Sequence, residues 1–157
     1  MPNILVPVTR KVDRGMGEVR VKVQLSNPVD EDLVRRGQMT AAEIRTCEAN
    51  ALVDTRAVRC VVPGNVVDRL GVSRVGTRTA ECADGRLDEV GLTDGIRFNV
   101  IGRETLEEAL ILGDEVLIGQ TVLEKLDLWV DCANQLLVPN PAHPDQPVTK
   151  VKSAANA

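Results

Sequence analysis

The chain has 157 residues, 43% apolar and 27% charged, with a net charge of −4. That is one soluble domain's worth of sequence, with enough apolar material for a real core. Its basic residues are scattered, which argues against nucleic acid, and no apolar run reaches membrane-spanning length.

Aromatic residues are nearly absent: one Phe, one Trp and no Tyr. Val, Leu, Ile and Ala must therefore build the core, and clustered β-branched residues favour strands. The four cysteines (Cys47, Cys60, Cys82 and Cys132) form no Cys-x-x-Cys pair, and His143 is the single histidine. No metal site, cofactor or Ser-His-Asp triad is expected. His143 sits among prolines and reads as a tail residue. The start carries Arg10, Lys11, Asp13 and Arg14 rather than the long apolar core of a signal peptide, so a cytoplasmic chain with reduced thiols is expected.

In chain order, residues 1–17 read as an N-terminal arm with little periodicity. Glu18 to Leu25 alternates strictly, a half-buried strand with Val19, Val21, Val23 and Leu25 inward. Ser26-Asn27-Pro28 breaks it. Asp30 to Arg36 reads as a short helical turn or loop, and Thr40 with Glu43 has capping-box spacing. Cys47 to Asp54 is the next strand, Thr55 to Val58 a bend, and Arg59 to Val62 a strand again. Val66 to Leu70 suits a short helix stopped by Gly71. Val75–Cys82 and Arg86–Val90 form a hairpin around Ala83-Asp84-Gly85, where Asp-Gly is a strong turn signal. Ile96 to Ile101 is a strand ended by Gly102. Glu104 to Leu112 is read as a strand, Glu115 to Ile118 as another, and Thr121 to Leu126 as a helix. Leu128–Asp131 and Gln135–Pro139 make a last hairpin. The Pro-rich tail, 140–157, is expected to be extended, docked on a partner, and frayed after Lys152. Val66–Val72 and Val122–Leu128 match in apolar and charge order, and each follows an apolar strand and a turn, which suggests an internal duplication.

Two stretches carry the chemistry. Ala51-Leu52-Val53-Asp54-Thr55-Arg56-Ala57 puts a carboxylate at the end of an apolar strand, where it is either solvated at a strand end or held for chemistry. Val116-Leu117-Ile118-Gly119 leads into the helix at Thr121. Together, from about Glu18 to about Pro139, they resemble the bacterial retropepsin-like aspartic proteases. Those have Leu-Val-Asp-Thr-Gly-Ala and, later, two apolar residues and a Gly before a short helix. The resemblance implies a mostly β domain over 18–139, a closed acid-protease barrel with one or two short helices. Arg56 departs from it, standing where the family has Gly.

What the resemblance implies about activity follows from electrostatics. An aspartic protease needs two carboxylates sharing one proton, because like charges about 3 Å apart cannot both ionise. This chain offers one Asp-Thr; Asp131 also ends an apolar strand, but no Thr-Gly or Thr-Ala follows it. A working site would therefore need a homodimer with Asp54 from each chain on the two-fold axis. Thr55 would lock the two loops across the axis, and Ala57 is the small residue after the family's Gly. Asp84-Gly85 would tip a flap that pairs with an extended peptide or unfolded protein, and Gly119 would let the second strand pass close to the loop. Arg56 joins Ala57, Asp84, Gly85 and Gly119 as a substrate-contacting position. A guanidinium aimed at Asp54 favours two ionised carboxylates and opposes proton sharing, whereas one pointing outward leaves the loop backbone and its activity intact. The alternatives are a catalytically silenced dimer of the same fold that binds peptides, and an unrelated small β-barrel binding protein.

Overall fold

A computed structural model describes residues 5–7 and 17–151. The rest of the expected N-terminal arm and the expected fraying after Lys152 lie outside the described residues. The chain enters through strand β1 (Leu5–Pro7). Strand β2 (Val19–Ser26) follows the alternation in its sequence: Val19, Val23 and Leu25 are buried, and Val21 packs against the core from a half-buried position.

Asn27-Pro28 does more than break β2. The Asn27 side chain accepts hydrogen bonds from the Val29 and Asp30 amides, and Pro28 takes the first turn, where its missing N–H costs nothing. Helix α1 (Pro28–Arg35) results. It holds Asp30, 1% exposed, against Arg45 through Nε–Oδ2 and Nη2–Oδ1 bonds, both 2.9 Å. Thr40 and Glu43 close a capping box on a single 3-10 turn, Ala41–Glu43.

The remaining elements are β3 (Thr46–Val53), β4 (Cys60–Val62), α2 (Gly64–Leu70), β5 (Arg74–Glu81), β6 (Leu87–Thr93) and β7 (Ile96–Val100). Then come β8 (Arg103–Glu107), β9 (Ala109–Ile111), β10 (Leu117–Ile118), α3 (Gln120–Lys125), β11 (Leu128–Asp131) and β12 (Leu136–Pro139). Among the described residues the molecule is mostly β, with three α-helices rather than the expected one or two; α1, where a helical turn or loop was expected, is the addition. The single strand expected over Glu104 to Leu112 is two strands. β8 lies on the sheet edge beside β7, whereas β9 inserts between β6 and β4. β7 and β8 are joined by a two-residue turn, Ile101-Gly102, with both φ positive (45° and 81°). Such a turn suits the twist of a hairpin, although a β-branched residue is strained there.

Nine strands form one sheet in the order β5-β6-β9-β4-β10-β3-β2-β7-β8, and β1-β11-β12 form a second. No pairing among the described residues joins β5 to β8, so the hydrogen-bond ladder does not close into the expected barrel. The centre of the large sheet is reciprocal. β10 runs parallel to β3, and β4 runs parallel to β9, with β4 and β10 antiparallel between them. Each inner strand then leads into a short helix. The duplication suggested by the Val66 and Val122 stretches is thus present as two interlocked strand–loop–strand–helix units. One core serves both sheets: Val23, Leu25, Val62, Leu70, Phe98, Ile118, Leu123 and Leu128 all contribute to it.

Candidate active site

Asp54 follows the last residue of β3, where the apolar run ends. Its loop is pinned by the strand that crosses it. The Asp54 amide donates to the Ile118 carbonyl at 3.0 Å, and the Ala57 amide turns back to the Asp54 carbonyl at 3.2 Å. From the other side, the Gln120 amide donates to the Ala57 carbonyl at 2.8 Å and the Thr121 amide to the Val58 carbonyl at 3.1 Å. Four backbone bonds therefore fix the six-residue loop 54–59 between β3 and β4. Thr55 is buried within it, 4% exposed.

Gly119 sits at the crossing. A Cβ there would lie 2.5 Å from the Arg59 carbonyl oxygen and 2.9 Å from that of Ala57. Both are backbone atoms with nowhere to move, so a side chain is excluded by contact and not by torsion. The Gly119 amide is also used: it donates to Cys60 Sγ at 3.2 Å. Burial pushes the Cys60 thiol up to about 12 and keeps it an uncharged acceptor.

Arg56 turns toward Asp54. Its backbone amide and its Nε donate to the same oxygen, Oδ1, at 3.0 and 3.2 Å. The Asp54 side chain is 21% exposed and that of Arg56 44%. The carboxylate is therefore partly desolvated, with a guanidinium on one of its two oxygens.

Among the sequence-chosen residues, the structure brings together Asp54, Thr55, Arg56, Ala57 and Gly119. Asp84 and Gly85 form the tip of the exposed β5–β6 hairpin and are bonded within their own turn. Asp84 Oδ1 accepts from the Arg86 amide at 3.0 Å, and Gly85 adopts φ 84°. Asp131 is a buried turn former that accepts from the Asn134 amide and side chain.

Reading His143 as a bland tail residue missed a cluster. His143 Nδ1 lies 2.6 Å from Asp127 Oδ2, which also accepts from the Val148 amide, while Asp127 Oδ1 accepts from Asn140 Nδ2 at 3.0 Å. Arg103 adds bonds to the Leu126, Asp127 and His143 carbonyls. Burial works to raise the Asp127 carboxyl. The bonds from Asn140, Val148 and His143 outweigh it and hold the group below its ordinary value. So the tail is not simply extended: residues 141–146 turn back and clasp the chain's own domain. The signal lay in the repeat, which aligns Asp127 with Gly71. Both residues adopt positive φ, 57° and 66°.

Among the described residues, no group of three or more His, Cys, Asp or Glu could hold a metal ion, and no helix is long and apolar enough to cross a membrane.

No protein-family model matches the chain, and no curated protein is similar to it in sequence. Solved structures with a likeness in shape include two viral ones. One is EIAV protease complexed with an inhibitor, with 20% identity, TM-score 0.44, and coverage of 49% of this chain and 75% of that one. The other is a foamy viral protease-reverse transcriptase in complex with an RNA/DNA hybrid, with 15% identity and TM-score 0.46. That match covers 88% of this chain and 14% of the other. Neither is close enough to transfer a fold or a function.

Proposed function

We propose that this chain is an aspartic endopeptidase that works as a homodimer, each subunit supplying Asp54. The observation that carries the reading is the loop: a partly desolvated carboxylate at the end of an apolar strand, held by four backbone bonds and a crossing that admits only Gly119. A solvated strand-end Asp needs none of this. Preorganisation of a reacting group does.

The mechanism follows from one proton shared between two carboxylates. The ionised Asp54 takes a proton from a water as that water attacks the scissile carbonyl carbon. The protonated Asp54 of the other subunit donates its proton to the carbonyl oxygen. As the tetrahedral intermediate collapses, the C–N bond breaks, the carboxyl that took the water's proton gives it to the amine nitrogen, and a hydroxyl of the intermediate returns its proton to the other Asp54, so the pair again shares one proton. Only one of the two interlocked units carries Asp-Thr, so the second carboxylate comes from a second chain. Thr55 locks the two loops together across the axis, and the Asp84-Gly85 hairpin covers an extended peptide by backbone pairing.

The Arg56–Asp54 bond favours a second reading, in which the dimer binds extended peptides and does not cut them. Unfolded casein, incubated from pH 3 to 8 with wild type, Arg56→Gly and Asp54→Asn, separates the two. Cleavage by wild type above the Asp54→Asn blank, with an acidic optimum, supports the endopeptidase. Cleavage by Arg56→Gly alone supports a silenced one. Equal cleavage by all three assigns the activity to something other than Asp54.

A further inference from the structure

We infer that Arg56 is a specificity-determining residue, whose guanidinium anchors an acidic side chain of the peptide beside the scissile bond. The inference rests on the reading of Asp54 as the reacting carboxylate.

The arginines of this chain use their donors in different ways. Arg45 spends Nε and Nη2 on both oxygens of Asp30. Arg103 spends both Nη groups on three carbonyls. Arg20 engages Glu18 and Glu115 with all three nitrogens. Arg56 differs: among the described residues its guanidinium bonds through Nε only, at 3.2 Å, and its side chain is 44% exposed. The outer edge, Nη1 with Nη2, remains as a planar fork of donors next to Asp54. Such a fork matches a carboxylate bidentately, which a lysine or an amide cannot do.

Position then selects the ligand. A site built on two Asp54 carboxylates repels an acidic substrate. One Arg56 per subunit reverses that sign and places a cation on each side of the scissile bond. A Glu or Asp within a residue or two of the bond would take the Nη edge. It would also draw the guanidinium away from Oδ1, leaving the Asp54 pair to share its proton. The substrate would thus supply the charge that releases the carboxylate, and a neutral peptide would not.

The test uses two peptides with the same aliphatic residues at the cleaved bond and either Glu or Gln on each flank. For wild type, kcat/KM for the Glu peptide should exceed that for the Gln peptide by about tenfold, as expected for a charge-assisted bidentate contact. Arg56→Gly should lose the preference and Arg56→Lys should keep part of it, each checked for native circular dichroism and mass. A wild type indifferent to Glu, or an Arg56→Gly that retains the preference, overturns the inference and leaves the endopeptidase reading standing. A second arm needs no turnover. A labelled Glu peptide with a reduced, uncleavable bond should bind wild type about tenfold more tightly than Arg56→Gly by anisotropy, with the difference shrinking at high salt. If no variant cuts either peptide, the endopeptidase reading fails and this binding arm alone decides the anchor. Equal binding, or none, overturns it.

Discussion

The two interlocked units, β3–β4–α2 and β9–β10–α3, follow one path and carry different chemistry. In the first, the loop between the strands holds Asp54, Thr55 and Arg56. In the second, the corresponding loop holds Gly113, Asp114 and Glu115, and Glu115 is engaged by Arg20 at 3.0 Å on the surface. The residue before the helix is Pro63 in the first unit and Gly119 in the second. The turn after the helix is Gly71 in the first and Asp127 in the second. The shared path therefore demands neither glycine before the helix nor a carboxylate after it. Gly119 is required by the Asp54 loop it crosses, and Asp127 is used by the tail.

Each difference can be broken separately. The largest effect is expected from Asp54→Asn, which should reduce proteolysis to that of casein incubated without the protein while leaving the mass in solution unchanged, read by casein cleavage and sedimentation. Loss of the dimer would show that Asp54 acts on assembly instead. Gly119→Ala comes next, because its Cβ would meet backbone at 2.5 Å. It should cost roughly 3 kcal/mol or more in urea unfolding, at the upper end of overpacking. Pro63→Ala, at the matching position, should cost under about 1 kcal/mol.

The two helix ends give a middle-sized contrast. Gly71→Ala drives a Cβ into the Arg45 guanidinium that holds buried Asp30, and it should cost about 2–3 kcal/mol. Asp127→Gly eases the backbone by about 1 kcal/mol and frees the tail. It should leave the melting temperature nearly unchanged while opening residues 140–151 to added trypsin or proteinase K.

The pH dependence has a definite sign. Asp30 is lowered first by its side-chain bond with Arg45, against an opposing burial effect, and Asp127 is lowered by the tail bonds; both fall below the ordinary 3.8. A carboxyl held lower in the folded state stabilises above its unfolded value and loses that contribution as pH falls through the folded one. Stability should therefore drop below about pH 4, and Asp127→Asn should flatten part of that acid limb in denaturant titrations. The smallest effect is a gain. Ile101→Asn, at φ 45° in the β7–β8 turn, should stabilise by up to about 1 kcal/mol.

How far the sequence could be read also follows this division. Alternation over Glu18–Leu25 and the Asp84-Gly85 turn are local signals, and they located β2 and the hairpin. The Val66–Val122 match disclosed the duplication, because an internal repeat is visible without knowing the fold. Helix α1 was legible only as a helical turn or loop from Asp30, because Asn27-Pro28 serves equally as a strand breaker and a helix start. The split of Glu104 to Leu112 was hidden because the two halves pair with different neighbours, and a periodicity of two does not report partners. The contact of Arg56 with Asp54 and the clasp of His143 on Asp127 depend on side-chain direction and on pairings 16 residues apart, which no local pattern carries.

The central claim is that one Asp54 per chain makes half a site. Wild type and Asp54→Asn, unfolded together and refolded at equal amounts, test it on casein at the acidic optimum. A dimeric site gives about one quarter of the wild-type rate, since only pairs of wild-type chains are active. About one half of the wild-type rate would mean that a single chain cuts alone, and the account would be wrong.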